Sequence, residues 1–348
     1  MEEYRAYYSG KKILITGGAG SIGTNLTRGL IELNPGLIMI LDNMSAGYEW
    51  NIPVSDKVML VKGDVRDDTD LKRVFNEKPD IVYHLAAFFA NQNSVDYPEK
   101  DLETNGLGTL KVFEYSALSG TKRVVYASSG CAIYGHQAPL PLREEFVSMH
   151  LTTPYQITKM LGELYANFFY HHYGLKIVKT RFFNSFGPGE VPGQYRNVIP
   201  NFIYWALKGQ PLPIAGNPEA TRDFCYVGDI VDGLLRAGYF ESAIGMEMNL
   251  ASERETKIGD LAVMVNKLTD NKGGTIMVGR RKWDTKTRLL ASVDKARTLL
   301  GYEPSMKFEE GLKITIDWFR KNWADIERSA SFTTGVSSAL RSDDKNKS

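Results

Sequence analysis

The feature that most constrains this chain is a short apolar run that ends in three glycines spaced three residues apart. The run covers residues 13–16, and Gly17, Gly20 and Gly23 follow it at the start of a segment with helical character. Such glycines let a strand turn sharply into a helix, let a bound group approach the backbone, and let the helix pack on the strand. Because the N-terminus of that helix favours an anion, the pattern is typical of a turn that holds a pyrophosphate.

A carboxylate follows this turn at the distance that ribose recognition requires. Residues 37–41 form a second apolar run, and Asp42 ends it about 20 residues past the glycines, where it can accept hydrogen bonds from the adenosine ribose hydroxyls. Asp42 would repel a 2′-phosphate, and none of the three residues after it is an arginine that could bind one. The sequence therefore predicts NAD as the cofactor and disfavours NADP.

Short β-type runs alternate with helical segments through the first half of the chain. The candidate strands are residues 12–16, 37–41, 58–61, 81–84, 123–127 and 176–180. This alternation predicts an α/β fold with one doubly wound parallel sheet, which carries helices on both faces and binds ligands at the carboxyl ends of its strands.

The regular alternation ends near residue 180, and the remaining pattern predicts a smaller lobe over the ligand edge of the sheet. We expect four regions: an N-terminal extension at 1–11, an NAD-binding domain at 12–180, a substrate-binding lobe at 181–328 that is interleaved with the sheet, and a disordered tail at 329–348.

The composition is that of a soluble globular enzyme. The 348 residues carry a formal net charge of +1, which gives no electrostatic reason to expect a nucleic acid or an anionic membrane as partner. The two cysteines form neither a disulfide framework nor a metal-ligand cluster, and the N-terminus lacks a signal-peptide pattern. We therefore expect a cytoplasmic protein without a bound metal.

The main catalytic candidates are Tyr155 and Lys159, which lie one helical turn apart in a Tyr-x-x-x-Lys pattern. A lysine ammonium beside a phenol stabilises the phenolate, so the tyrosine can act as a general base near neutral pH. The spacing by itself is weak evidence. Three other pairs share it: Tyr7 with Lys11, Tyr8 with Lys12, and Tyr204 with Lys208.

The context of Tyr155 separates it from the other tyrosines. Thr152 or Thr153 can cap a helix with Pro154 in its first turn, and this helix begins shortly after Ser129 at the end of the fifth strand. The apolar positions that would form its buried face are Ile157, Leu161, Leu164 and Phe168. The alternative is an ordinary amphipathic helix without a catalytic role.

Together these motifs resemble the extended short-chain dehydrogenase/reductase family, in particular its NAD-dependent nucleotide-sugar epimerases and dehydratases, which include UDP-glucose 4-epimerase. The resemblance covers nearly all of the chain before the tail and implies a Rossmann-type sheet with a smaller C-terminal substrate-binding lobe. The residues that it implies for cofactor binding are Gly17, Gly20, Ser21, Ile22, Gly23, Asp42, Asn43, Asp64, Val65, Leu85, Ala86, Ala87, Asn105, Tyr155 and Lys159.

The second half of the resemblance implies a site for a nucleotide-diphosphate sugar. The residues implied there are Asn184, Asn197, Arg222, Arg281 and Asp284. Independently of the family, Arg222 and Arg281 can each form paired hydrogen bonds to diphosphate oxygens, and Asn197 opens a helix whose N-terminus suits an anion. The alternative is that both arginines are solvated surface charges.

The sequence departs from the family just after the fifth strand. Gly130 stands where relatives carry a catalytic Ser or Thr whose hydroxyl bonds the oxygen being oxidised. Three explanations are open: Ser129 supplies the hydroxyl, a water molecule supplies it, or the reaction is slow or altered. Cys131 and Ala132 replace the acid/base pair of dehydrating relatives, and decarboxylating relatives keep the second acid, so dehydration is disfavoured.

These residues predict an NAD-dependent nucleotide-sugar 4-epimerase that works through a transient 4-keto intermediate, with Tyr155 as the base and Ser129 beside it. Alternatives within the family are a C4 dehydrogenase and a 4,6-dehydratase or decarboxylase. A non-catalytic dinucleotide-binding protein is the alternative from another class. His84, at the end of the fourth strand, is interpreted as structural. By analogy with relatives that pair two helices per subunit, a homodimer through residues 101–118 and 154–172 is expected.

Overall fold

The computed structural model describes residues 3–135, 137–280, 284 and 286–332. Its strands are β1 (Lys12–Thr16), β2 (Leu37–Asp42), β3 (Val58–Lys62), β4 (Ile81–His84), β5 (Arg123–Ser129), β6 (Ile177–Phe182), β7 (Ser185–Phe186), β8 (Leu212–Ala215), β9 (Thr221–Asp223), β10 (Cys225–Tyr226), β11 (Glu247–Leu250), β12 (Glu255–Lys257) and β13 (Thr275–Val278). Its α-helices are α1 (Glu3–Ala6), α2 (Ser21–Ile31), α3 (Asp68–Phe75), α4 (Asn91–Asp96), α5 (Pro98–Asp101), α6 (Thr109–Ser119), α7 (Pro154–Tyr173), α8 (Val198–Leu207), α9 (Val227–Tyr239), α10 (Ile258–Thr269), α11 (Asp294–Leu300), α12 (Phe308–Lys321) and α13 (Trp323–Ser329). A π-helical turn, Leu102–Gly108, joins α5 to α6.

The central sheet has seven parallel strands in the order β11-β6-β5-β4-β1-β2-β3. The predicted α/β class and doubly wound parallel sheet are therefore confirmed. All six predicted strands are present, and β2, β3, β5 and β6 run one or two residues further than predicted at their carboxyl ends. The chain order reverses beside β1, which creates a crevice between the ends of β1 and β4 where ligands bind in such sheets.

The seventh strand, β11, was not predicted. Only four residues long, it includes Glu247 and Asn249, which break the apolar pattern of a buried strand. Asn249 is nevertheless fully buried, because its amide nitrogen donates to the carbonyl oxygens of Leu142 and Ser292 and its amide oxygen accepts from Tyr134. Strand β11 lies within the region 181–328 predicted as the lobe, yet it pairs with β6, so the chain returns to the central sheet in the middle of that region.

Three apolar cores hold these layers together. One lies on each face of the central sheet, and the third lies inside the lobe, where helices α8, α10 and α12 pack on one another. No helix in the described part of the chain is long and apolar enough to cross a membrane.

The N-terminal extension is part of the first core. Tyr4 and Tyr8 are buried, and the Tyr8 hydroxyl lies 2.6 Å from the hydroxyl of Tyr83 on β4 and donates to the carbonyl oxygen of Leu235 on α9. The extension therefore fastens α9 to the sheet.

The start of the predicted tail also packs against the protein. The hydroxyl of Ser329 accepts from the indole of Trp50 at 3.1 Å, and Phe332 stacks on Tyr204 with ring centres 5.3 Å apart. The boundary at 329 was thus placed too early, because these residues join the lobe to the loop after β2. Residues 333–348 lie outside the described part.

Helix α7 presents the opposite face to the one predicted. Thr153 caps it, with Pro154 in the first turn as expected. However, Ile157, Leu164 and Phe168 are 53%, 57% and 40% exposed, so the predicted buried face is wrong. The buried face is mainly polar and comprises Tyr155, Gln156, Thr158, Lys159, Gly162, Glu163, Ala166 and Phe169.

Candidate functional site

A cleft of about 750 Å³ crosses the carboxyl ends of the strands and continues under the lobe. It brings together almost every residue singled out in the sequence. Those that line it are Gly17, Gly20, Ser21, Ile22, Gly23, Asp42, Asn43, Asp64, Val65, Leu85, Ala86, Ala87, Ser129, Tyr155, Lys159, Asn184, Asn197, Arg222 and Asp284. Arg281 lies outside the described residues, and Asn105 does not line the cleft.

The glycine turn has the geometry that a pyrophosphate requires. Gly17 has a φ of +70°, and a Cβ there would lie 2.6 Å from the backbone nitrogen of Ala86. A Cβ on Gly23 would lie 2.5 Å from the backbone of Gly18, so helix and strand touch only because both residues are glycine. No side chain caps α2, which leaves the N–H groups of its first turn available to an anion.

Two carboxylates define the ribose and adenine end of the cleft. Asp42 accepts hydrogen bonds from the backbone nitrogens of Ala19 at 2.9 Å and Met44 at 2.8 Å, and burial raises its pKa. Burial acts to raise the pKa of Asp64 as well, but hydrogen bonds from Arg66 and Asn43 outweigh it and hold that pKa below its usual value. Asp42 thus keeps free lone pairs for hydroxyl groups, which fits an NAD ribose.

Asn105 lies behind the cleft wall. Its amide oxygen accepts from the backbone nitrogen of Phe88 at 2.8 Å, while its amide nitrogen donates to the Asp101 carboxylate at 2.7 Å. The predicted direct contact with the cofactor is therefore replaced by a positioning role, because the side chain is buried and bonded to the segment after β4.

Ser129, Tyr155 and Lys159 meet where β5 ends against α7. Ser129 lies near Tyr155, and its hydroxyl acts to lower the pKa of the Tyr155 phenol. The Lys159 ammonium donates to the carbonyl oxygen of Ala127 at 2.8 Å and lies 5.7 Å from the centre of the Tyr155 ring. All three line the cleft, so a hydroxyl donor, a phenol and an ammonium are available to one bound group.

The ionisation of this pair differs from the expectation. Burial raises the pKa of Tyr155, the nearby Cys131 thiol raises it further, and the hydrogen bond from Ser129 opposes both. Burial also lowers the pKa of Lys159 to about 8. The sequence predicts that Lys159 lowers the pKa of the Tyr155 phenol, but in the protein by itself it does not. The reason is that the Lys159 ammonium is desolvated and donates to a backbone carbonyl.

The missing hydroxyl at Gly130 has a steric cause. A Cβ on Gly130 would lie 1.9 Å from a ring carbon of Phe183, which is fully buried and stacks near Tyr134. Any side chain at position 130 would displace this ring. Of the three explanations, the structure is compatible with Ser129 as the hydroxyl source, because Ser129 and Tyr155 both line the cleft.

The lobe supplies charged groups to the other end of the cleft. Arg222 is only 16% exposed, and one guanidinium nitrogen lies 3.0 and 3.1 Å from the two carboxylate oxygens of Asp284. Asn197 begins α8, and its side chain donates to Glu190 at 2.9 Å. Asn184 donates to the carbonyl oxygen of Asp223 at 3.1 Å. The alternative of Arg222 as a solvated surface charge is therefore wrong.

Several charged residues that line the cleft were missed from the sequence, and two of them have shifted pKa values because of burial. Glu190 is buried, and burial raises its pKa to about 7. Lys286 donates to the carbonyl oxygen of Cys131 at 3.1 Å, and burial lowers its pKa. Glu190 follows a Gly-Pro-Gly turn and Lys286 stands two residues after Asp284, but both lie in irregular segments without a recognisable spacing.

His84 is structural, as interpreted. Its Nδ1 lies 2.7 Å from the hydroxyl of Thr16 on β1, and its Nε2 lies 2.9 Å from that of Thr109 on α6. Burial lowers its pKa to about 3, with the Lys159 charge acting in the same direction. A neutral imidazole therefore ties the two central strands to the helix that follows them.

Comparison with known proteins connects this site to a family. The family model of NAD-dependent epimerases and dehydratases matches residues 13–251. A solved epimerase from Methanothermobacter thermautotrophicus is 55% identical, with a TM-score of 0.94, and the alignment covers 95% of this chain and 98% of that one.

Two further relatives carry names with different reactions. The structure of a UDP-glucose 4-epimerase from Thermotoga maritima with UDP-glucose is 32% identical with a TM-score of 0.85, covering 90% of this chain and 99% of that one. A UDP-N-acetyl-alpha-D-glucosaminuronate decarboxylase from Bacillus cytotoxicus is 31% identical over 89% of this chain and 98% of its own length.

The fit between Gly130 and Phe183 can be tested by a double-mutant cycle. We expect Gly130→Ser to lower the free energy of unfolding by about 1–3 kcal/mol, since the new side chain overlaps the ring. In a Phe183→Ala background the same substitution should cost clearly less, because the ring is gone. Urea unfolding measures both; equal costs in the two backgrounds would contradict the steric explanation.

The buried state of His84 predicts a pH dependence. Its pKa of about 3 in the folded protein is below the value of about 6.5 in an unfolded chain, so the unfolded state binds more protons between these limits. The neutral imidazole of His84 therefore contributes to the free energy of unfolding at neutral pH, and this contribution is lost as the pH falls. Relative to His84→Gln, wild type should lose about 2 kcal/mol of unfolding free energy between pH 7 and pH 5, as measured by urea unfolding. His171→Gln, at an exposed histidine of the same protein, is the matched control; an identical pH response of wild type and His84→Gln would refute the assignment.

Proposed function

This chain belongs to the NAD-dependent epimerase/dehydratase family, and from that premise we propose that it is a nucleotide-sugar 4-epimerase with a UDP-sugar as substrate. Its cofactor is NAD, which when bound accepts a hydride from the sugar and returns it. The observation that carries the proposal is that Ser129, Tyr155 and Lys159 lie together in one cleft, between the glycine turn and Arg222.

Tyr155 is the proposed proton acceptor for the C4 hydroxyl. Its oxygen would hold that proton while C4 becomes a ketone, and Ser129 would donate a hydrogen bond to the same sugar oxygen. Lys159, whose ammonium faces the ring, would stabilise the phenolate once the cleft is closed to water. Tyr155 would return the proton to the same oxygen when the ketone is reduced on the other face of C4, so no net redox would occur.

An epimerase must let the keto sugar turn while the nucleotide stays bound. In the proposal, the lobe at 181–328 provides this anchor: Arg222 binds the diphosphate, the N-terminus of α8 at Asn197 contributes N–H groups, and Asp284 binds the nucleoside. A cleft of about 750 Å³ has room for a sugar to rotate beside Asn184. Arg281 stays a prediction.

Dehydratase and decarboxylase chemistry is the alternative that the relatives keep open. It requires an acid/base group beside C5, yet Cys131 carries a thiol and Ala132, which is fully buried, carries none. Two further alternatives differ from an epimerase in their products. A dehydrogenase would release the ketone, and a non-catalytic dinucleotide-binding protein would form no product.

The first prediction concerns the products and the base. Incubated with NAD and UDP-sugars, the protein should yield a new compound of unchanged mass, seen by chromatography with mass spectrometry. Tyr155→Phe should lower kcat by about 10²–10⁴-fold, because the phenol proton acceptor is lost. Tyr204→Phe is the matched control, since Tyr204 has the same spacing to Lys208 but does not line the cleft.

Other products would reject the epimerase. Loss of water or of carbon dioxide would indicate a dehydratase or a decarboxylase, and stoichiometric NADH with free ketone would indicate a dehydrogenase. Full activity of Tyr155→Phe would remove the phenol from the mechanism.

We also propose that the protein is a homodimer. Helix α7 packs on the π-helical turn, and both elements carry exposed apolar side chains: Leu164 and Phe168 on α7, and Leu102 and Leu107 on the turn, which are 56% and 45% exposed. Exposed apolar side chains on two neighbouring helical elements favour association with a second copy.

A charge on this face should separate the subunits. We expect wild type to show twice the 39.0 kDa chain mass by light scattering and Leu164→Arg to show the single mass, because an unpaired arginine would be buried in the interface. Val263→Arg, at a 66% exposed position of α10, should remain dimeric. A monomeric wild type would disprove the proposal.

A further inference from the structure

Lys286 is a partly buried cation in the cleft. Its ammonium donates to the carbonyl oxygen of Cys131 at 3.1 Å, which ties the segment after Asp284 to the turn that follows β5. Burial lowers its pKa, and the nearby Arg222 acts in the same direction, whereas Cys131 and Asp284 oppose them. An ammonium group has three N–H donors. The carbonyl oxygen of Cys131 accepts from one of them, so two N–H groups remain for other acceptors.

The carboxylates around Lys286 are already engaged. Asp284 pairs with Arg222 at 3.0 Å, and Asp223 accepts hydrogen bonds from the backbone nitrogen and hydroxyl of Ser252 at 2.8 and 2.7 Å. Among the described residues no carboxylate lies within 4.0 Å of the Lys286 ammonium. Because an unpaired charge is costly to bury, an anion in the cleft would stabilise this lysine.

The position of Lys286 indicates which part of a bound sugar it meets. The Cys131 thiol interacts electrostatically with both the Tyr155 phenol and the Lys286 ammonium, so Lys286 is near the end where Tyr155 would act on C4. Arg222, the proposed ligand of the diphosphate that is attached to C1, lines the same cleft. In a hexose, C5 is bonded to C4 and carries the C6 substituent, so a cation near the C4 end of the cleft is placed to meet a charged group at C6.

We propose that Lys286 determines specificity by pairing with a carboxylate at C6 of the sugar, so that the preferred substrate is a nucleoside-diphosphate hexuronic acid. This inference rests on the proposed function for the nucleotide-sugar nature of the substrate. A neutral hydroxymethyl group at C6 would leave the partly buried ammonium without a counter-charge, whereas a carboxylate both neutralises it and accepts hydrogen bonds from it. A site built in this way rejects the analogue that lacks the matching group.

The test compares UDP-glucuronate with UDP-glucose, which share the base, diphosphate and ring and differ only at C6. For the NAD-bound wild type we expect at least about tenfold tighter binding of the acid by calorimetry, and a similar preference in kcat/KM. Lys286→Met should weaken binding of UDP-glucuronate at least about 30-fold, since it removes one partner of a buried charge pair. Binding of UDP-glucose and of UDP should change less than about threefold.

Two matched variants complete the design. Lys286→Arg keeps the charge and should retain most of the preference for the acid. Lys272→Met removes an ammonium from a side chain that is 85% exposed and should behave like wild type.

Equal wild-type affinity for the two sugars would overturn the proposal. So would a Lys286→Met variant that weakens UDP as strongly as UDP-glucuronate, because Lys286 would then be a diphosphate ligand. The binding measurements are independent of turnover: absence of any product of unchanged mass argues against the epimerase, whereas loss of the preference for the acid argues against the role of Lys286.

Discussion

The parallel direction of all seven central strands is the constraint on which the site depends. In such a sheet every strand ends at the same edge, so residues far apart in sequence become neighbours there. Asp42 ends β2 and Ser129 ends β5, while Asn184 follows β6, and all three line one cleft. The reversal of strand order beside β1 opens the crevice, and the glycine turn lets the backbone border it without side chains in the way.

The buried ammonium of Lys159 requires nearby negative charge to offset its loss of solvation. The carboxylates of Asp101 and Glu163 supply this charge, and both favour the protonated form of Lys159. Glu163 in turn accepts from Arg181 at 2.9 and 2.7 Å and from Ser128, and Asp101 accepts from Thr158 at 2.7 Å. Each buried charge thus has a partner of opposite sign or a hydrogen bond, which is the condition under which burial is tolerated.

This polar network explains why the apolar spacing in α7 predicted the wrong buried face. Apolar spacing at Ile157, Leu164 and Phe168 is ordinarily the signature of a core face, yet here the core-facing side carries Lys159 and Glu163. Periodicity identifies which residues share a face, but it does not say which of two faces meets the sheet when the polar side is fully satisfied. The apolar side is then left for another surface.

The limits of the sequence follow the same physics elsewhere. Strands with continuous apolar runs and the glycine turn were predictable, because their patterns are local. Strand β11 was not, since Asn249 is buried through partners that are distant in sequence. Glu190 and Lys286 were missed because their burial and charges arise from tertiary packing of irregular segments. Asn105 resembled a cofactor ligand, but its bonds to Phe88 and Asp101 are visible only in three dimensions.

The packing around Gly130 explains why the segment after β5 departs from the family motif. The chain turns directly after β5, where the backbone nitrogen of Ala132 donates to the carbonyl oxygen of Ser129 at 3.1 Å. Inside that turn the ring of Phe183 fills the space that a side chain at 130 would need. Phe183 is fully buried, so its ring takes the place of a side chain at position 130 in the interior of the protein and leaves the cleft wall unchanged. In the proposed mechanism the hydroxyl beside Tyr155 comes from Ser129, so the departure from the family pattern would shift the donor by one residue and leave the phenol in place.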